Sequence, residues 1–361
     1  MSEIKVNSIK GVAASSAAIT VNNTDGTCTA NITNKPNRNI LMNGAMLVAQ
    51  RGTSTTSNGY QTIDRFAVFN GGTDEAPTQA QVDLTSSDTP YSLGFRKALK
   101  VTNGNQTSGA GAADFIEIMQ KFEGQDINSS GWDFTSSSSF ITISFWLKSS
   151  VAQTFYGKMR ITEASANKEY TFAINATTSW QKITKTIPGA SGLNPVNTNG
   201  LGGWFDLIPF YGTDYSGSMT LDQWNTYDAS AAVPDMTSTW YTTNDATLEY
   251  TGLQMEVGSV ATDFEFRSYA DELRRCQRYC YKHDIQNTNG PYALQYESGH
   301  KFVQDWFPVT MRTTPSYTIT YANGTPTPYR VNPSMFKSYI SSAYDSSTPV
   351  YMESAIYFAE L

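Results

Sequence analysis

Histidine occurs twice and cysteine three times in this chain of 361 residues. Cys28, Cys276 and Cys280 are too few and too unevenly spaced for a disulfide framework, so folding in a reducing cytoplasm is expected. His283 and His300 have no nucleophile motif beside them, which leaves acyl-transfer chemistry without a constellation. Charged residues make up only 16%, with a formal net charge of -7. That balance excludes the basic stripe with which proteins grip nucleic acid. No apolar run approaches the ~20 residues of a membrane span, and no charged-then-apolar leader is present. Stretches rich in Ala, Leu, Glu and Lys are nearly absent, so a helical bundle is excluded too.

What remains is Ser, Thr, Asn and Gly, together with 21 Tyr and 18 Phe. Small hydroxylated residues and aromatics favour strands and turns, and the chain reads as all-β. In Phe140–Lys148, residues Ile141, Ile143, Phe145 and Leu147 share one face, and Thr142, Ser144, Trp146 and Lys148 the other. Phe155, Gly157, Met159 and Ile161 alternate in the same way with Tyr156, Lys158 and Arg160. Similar runs occur at Leu99–Thr102, Phe115–Phe122, Tyr170–Ile174, Trp180–Ile187, Trp204–Phe210 and Leu248–Val257. Period-two alternation sends one face into a core, and many short strands joined by Gly, Asn and Ser turns predict a jelly-roll-like β-sandwich over 36–267.

Three further units flank it. Residues 1–35 hold short alternating patches with too little apolar surface for a core, which is either disordered or buried against other chains, and reads as an oligomerising anchor. Ser268 followed by Asp271 and Glu272 predicts a capped helix, taken here over 268–286 as a connector. Residues 287–361 return to short aromatic strands, too few to close a sheet unaided, so a trimerising C-terminal β unit completed by neighbouring copies is expected.

Several stretches resemble a family of bacteriophage tail-fibre, receptor-binding proteins with a carbohydrate-binding-module-like jelly roll. They are Asn39–Met46 with Gln50–Thr53, Thr62–Phe66, Ile141–Lys148, Leu253–Gly258 with Ala261–Glu265, Arg267–Tyr269, Glu272–Leu273, Cys276–Tyr279 and Phe307–Pro315. They run in the family's order over most of the chain. Phe66 departs from a more usual Trp, and Cys280 from a more usual Tyr. The resemblance implies a homotrimeric virion protein on the tail or capsid surface, assembled in the host cytoplasm. It also implies residues 1–35 held by other virion proteins, and attachment to a host-surface saccharide. A purely architectural capsid-fibre, decoration or tail-adaptor role is the rival reading, and a polysaccharide depolymerase is the third.

Candidate sites follow. Cys276, Cys280 and His283 at i, i+4 and i+7 of the predicted helix, with His300, form a possible zinc set. Small buried cysteines explain the same pattern, and no metal or cofactor is expected. Asp206, Asp222, Glu249 and Asp305 are the carboxylates a depolymerase would need in a pair. Acids scattered on a β surface are more often solvated, so no catalysis is expected. Sugars present apolar C–H faces and hydroxyl rims, which suit aromatic rings beside Asp or Asn. The predicted carbohydrate-binding residues are therefore Trp204, Tyr211, Tyr215, Asp222, Trp224, Tyr227 and Trp240, in or beside a long insertion. The alternative is that these aromatics fasten the insertion to the sandwich or fill an interface between chains.

Overall fold

The computed structural model describes residues 6–12, 18–21, 24, 28–30, 36–163, 166–284, 294–295, 301–322, 326–340 and 351–361. Its first strands, β1 (Ser8–Ile9), β2 (Ile19–Val21) and β3 (Cys28–Ala30), make a three-stranded antiparallel meander. Val6, Ile9 and Val12 are exposed, so they contribute to no core.

The body of the molecule is a sandwich of two six-stranded antiparallel sheets. In chain order its strands are β4 (Ser54–Thr55), β5 (Ala67–Gly71), β6 (Thr78–Asp83), β7 (Lys97–Thr102), β8 (Phe115–Glu123) and β9 (Phe140–Ser149). They continue with β10 (Thr154–Ile161), β11 (Lys168–Asn175), β12 (Gln181–Pro188), β13 (Leu201–Tyr211), β14 (Trp224–Thr226) and β15 (Thr247–Val257). One sheet has the order β14-β11-β10-β13-β8-β5 and the other β12-β9-β15-β7-β6-β4. The chain passes repeatedly from sheet to sheet, giving the jelly-roll-like sandwich that the alternation predicts. Ile141, Ile143, Phe145 and Leu147 of β9 meet Phe155, Met159 and Ile161 of β10 and Phe205 and Leu207 of β13 in one core. Burying each such side chain contributes about 1.5–3 kcal/mol.

The predicted helix is shorter than expected. Ser268 caps it, its side chain accepting from the Asp271 amide at 3.1 Å, but the helix covers only Tyr269–Gln277. Cys280–Asp284 is already a strand, β16, paired with the last strand of the chain. Tyr279, Cys280 and Tyr281 suit a pleated, half-buried surface, and tertiary pairing overrides helix continuation there. The face that would align Cys276, Cys280 and His283 therefore does not form. Cys280 and His283 project to opposite sides of β16, and His283 meets Asp305 at 3.1 Å instead. Both thiols are fully buried, which pushes their pKa values up. His300 lies outside the described residues.

The remaining strands are β17 (Leu294–Gln295), β18 (Lys301–Trp306), β19 (Ser316–Ala322), β20 (Thr327–Asn332), β21 (Met335–Ile340) and β22 (Tyr351–Phe358). They build sheets of order β16-β22-β19 and β17-β18-β21-β20. Val303, Phe307, Met311, Phe336, Met352 and Tyr357 form a buried core between them. Within the chain, β16, arriving from the helix, pairs with β22 and adds a strand that the sequence reading places in the helix.

Most stretches quoted for the resemblance converge on one joint. Asn39 donates to the Leu253 carbonyl at 3.0 Å and accepts from the Met255 amide at 3.0 Å. The Asn43 amide donates to Glu272 at 2.6 Å, and its side chain donates to the Asp64 carbonyl at 2.9 Å. Glu360 bridges Arg51 (2.9 Å) and Arg65, whose guanidinium lies over the Tyr279 ring at 3.5 Å. Arg278 grips Glu123 through two bonds of 2.7 and 2.9 Å. These residues tie sandwich, helix and C-terminal unit together.

Candidate saccharide site

The sheet β14-β11-β10-β13-β8-β5 sends alternate residues away from the core. Ile116, Ile118, Met159, Phe205 and Leu207 point inward. Their neighbours Phe115, Glu117, Met119, Lys158, Arg160, Trp204 and Asp206 consequently share the outer face. That face is not bare. The connection between β13 and β15 folds back over it, and Tyr156, Ile208, Tyr211, Ala232 and Val233 form a small buried cluster beneath, joined by Tyr215 and Tyr227. Between sheet and connection lies a cavity of about 260 Å³.

Its floor is polar. Lys158 is buried between Asp206 (3.3 Å) and Glu169 (4.0 Å), and Arg160 pairs with Glu169 at 3.3 Å. The Trp204 indole N–H donates to Asp206 at 2.8 Å, and the Tyr211 hydroxyl donates to Glu117. Burial pushes the Asp206 carboxyl up to about 7, against the pull of Lys158. It pushes Tyr211 far above its ordinary range as well, with Glu117 acting in the same direction.

Its walls are aromatic. On one side Phe115, Tyr211 and Tyr215 form a cluster with ring centroids 5.5–6.3 Å apart. On the other, the Arg160 guanidinium lies over the rings of Trp204 (4.4 Å) and Tyr227 (3.4 Å). Apolar ring surface above hydrogen-bonding groups is the environment a sugar ring matches.

Of the seven residues predicted from sequence, Trp204, Tyr211, Tyr215 and Tyr227 line this cavity. The other three lie elsewhere. Trp240 is fully buried, packs edge-on against Phe155 and donates to the Thr247 carbonyl at 3.1 Å. It fastens the connection into the core, so no ligand reaches it. Half-buried Trp224 packs on Tyr170 and donates to the Pro188 carbonyl at 2.7 Å. Exposed Asp222, at φ 63, pairs with Lys185 at 2.5 Å. Sequence reasoning missed Phe115, Glu117, Lys158 and Arg160 as site residues. Their signal was available, since a lysine and an arginine two apart on an otherwise apolar strand demand buried partners or a ligand.

The carboxylates weighed for depolymerase chemistry are dispersed. Asp206 lies in the cavity, Asp222 in the bend before β14, Glu249 against Lys148 at 3.2 Å, and Asp305 in the C-terminal unit beside His283. A larger cleft of about 700 Å³ lies beside the helix, lined by Arg267, Arg274, Arg275 and Arg278. Arg267, Arg275 and Arg278 are committed to Glu265, Asn37 and Glu123 respectively, and among the described residues the one aromatic ring lining it is Phe266.

No family model matches the sequence, and no curated protein does. Among solved structures, the chain is similar to the enzymatically active domain of tailspike protein 4 of bacteriophage CBA120. The identity is 10% and the TM-score 0.32, over 62% of this chain and 22% of the tailspike chain. It is also similar to a family 11 carbohydrate-binding module from Clostridium thermocellum, solved with a mixed-linked tetrasaccharide, at 10% identity and TM-score 0.28, over 58% and 98% of the chains. A third is the N-terminal cellulose-binding domain of Cellulomonas fimi β-1,4-glucanase C, at 13% identity and TM-score 0.28, over 60% and 99%.

Proposed function

We propose that this protein binds saccharide in the cavity over β10, β13 and β8, without cleaving it. The observation that carries the reading is a ring of aromatic side chains enclosing a polar floor. Trp204, Tyr211, Tyr215 and Tyr227 surround Lys158, Arg160 and Asp206 in a space of about 260 Å³, just under the range of drug-sized sites. Binding without hydrolysis is supported by the engagement of the carboxylates. Asp206 and Glu169 share Lys158, and Glu117 accepts from Tyr211, so none stands ready as a nucleophile with a matched acid.

The biological setting we propose is a bacteriophage virion, with the protein a tail-fibre or fibre-like component, on tail or capsid surface, that attaches to a host-surface glycan. It rests on the stretches that resemble tail-fibre proteins. Homotrimerisation belongs to the same proposal. It is supported by half-exposed Leu93 and Phe266, which lie together on the opposite sheet's outer side, and by exposed Tyr269 nearby. Mass measurement of the purified chain giving a monomer or dimer would end the trimer proposal.

The site is tested by Trp204→Ala in a glycan-binding assay on the full chain. Removing one stacking ring is expected to cost about 1–3 kcal/mol of affinity. Unchanged binding by a normally melting variant would refute the assignment.

A further inference from the structure

A second surface with the chemistry of sugar contact lies on the C-terminal unit, on a different sheet from the cavity. In β18, Val303 points into the core and Asp305 points to His283 and Tyr357, at 3.1 and 3.0 Å. Phe302, Gln304 and Trp306 consequently share the opposite face. Strand pairing carries that face onward, with Phe302 opposite Tyr339, Gln304 opposite Lys337, and Lys337 in turn opposite Arg330. The register slips between Pro328 and Arg330, leaving Tyr329 as the extra residue of a bulge. A bulge re-aims a side chain. Tyr329 accordingly joins Arg330 on this face, its ring packed against Phe302 and Tyr339 at 5.8 and 6.1 Å.

The face is banded. Phe302, Tyr329 and Tyr339 form one aromatic end, and Trp306 forms the other, about 13 Å further along the strand. Gln304, Lys337 and Arg330 lie between them. Trp306 is 63% exposed and Tyr329 61%, and the Trp306 indole N–H has no acceptor among the described residues. The charge is one-sided. Strands β17, β18, β20 and β21 carry Lys301, Arg330 and Lys337 against a single acid, Asp305, which points inward. Neither Arg330 nor Lys337 pairs with a carboxylate among the described residues. Lys337 Nζ rests over the Phe302 ring at 4.2 Å, which positions the ammonium and leaves its charge intact. We propose that this face is a second glycan contact and binds an acidic saccharide. The exposed Trp306 and Tyr329 rings offer platforms to the C–H faces of sugar rings. Between them, the Arg330 fork and the Lys337 ammonium meet a carboxylate or sulfate on the sugar, and the Gln304 amide donates to and accepts from hydroxyls. Single-stranded nucleic acid also stacks on aromatic rings, but it follows a continuous basic groove, and this chain has a net charge of -7.

The test uses the full chain and four immobilised probes: polygalacturonate, chondroitin sulfate, neutral dextran and a single-stranded oligothymidylate. Binding to at least one acidic polysaccharide, tenfold or more tighter than to dextran and weakened by added salt, is expected. Preference between the two acidic probes tells a carboxylate from a sulfate ligand. Trp306→Ala and Arg330→Gln should each weaken that binding at least tenfold with an unchanged melt, since both side chains are exposed. Arg330→Gln should also reduce the salt dependence. Trp204→Ala, which alters only the cavity, should leave acidic binding as it was, so the two sites fail separately. Full acidic binding by Trp306→Ala and Arg330→Gln overturns the proposal, as does its loss in Trp204→Ala alone. No binding to either acidic polymer, or dextran bound as tightly, overturns it too. Tighter binding of the oligothymidylate than of either acidic polymer would reassign the face to nucleic acid.

Discussion

Glu360, next to the last residue of the chain, is expected to be one of its most sensitive positions. Its carboxylate lies between two buried guanidinium groups, Arg51 at 2.9 Å and Arg65. The side chains are 11%, 5% and 2% exposed respectively, so salt screens the pairs poorly. Glu360→Ala leaves Arg65 with the Lys121 carbonyl (2.6 Å) and the Tyr279 ring, and no carboxylate. Arg51 keeps Asp64 at 3.7 Å. Stranding a buried charge costs about 3–5 kcal/mol, and because Arg51 retains a partner the lower end applies, about 3 kcal/mol. Urea unfolding at neutral pH reads this directly as a lower midpoint. The double variant Glu360→Leu with Arg65→Met removes both charges and should recover most of the loss. A Glu360→Ala loss below about 1 kcal/mol would show that water already reaches the pair, and would sink the idea that this joint holds the C-terminal unit on the sandwich.

Trp240→Ala should cost about 3–5 kcal/mol by opening a core cavity, while the folded fraction binds glycan as before; selective loss of binding in calorimetry would contradict its placement. Trp224→Phe removes the bond to the Pro188 carbonyl and should cost about 0.5–1.5 kcal/mol with no change in saccharide binding. For Asp206, raised from 3.8 to about 7 by burial, the folded state keeps a proton that the unfolded state has lost across that window. Stability from this group is therefore greatest at acid pH and falls as pH rises through the window, so Asp206→Asn should flatten that slope in denaturation series at pH 4 to 7. Gly44 faces the Leu253 carbonyl so closely that a Cβ would sit 2.0 Å from its oxygen. Gly44→Ala should destabilise by about 1–3 kcal/mol or more, visible as an earlier melt.

The sequence by itself determined which segments become strands and which side of each faces the core. Phe140–Lys148 became Phe140–Ser149, and Leu248–Val257 became Thr247–Val257, because alternation is a local signal that burial on one side enforces. It also determined the start of the helix, since Ser268 and Asp271 make the cap between themselves. Local signals could not say where the helix ends, because Cys280–Asp284 is a strand only by virtue of β22, some seventy residues later. Nor could they sort the aromatics. Trp204, Trp224 and Trp240 look alike in a run of Gly, Ser and Asp, and which lines a cavity depends on how the β13–β15 connection folds over the sheet. The quoted stretches were legible as a pattern but not as a joint, since Asn43, Asp64, Arg65, Glu272 and Glu360 meet only across the whole length of the chain. Lys158 and Arg160 show the division most plainly. Alternation fixed them on the outer face, and only the covering connection made that face an enclosed site.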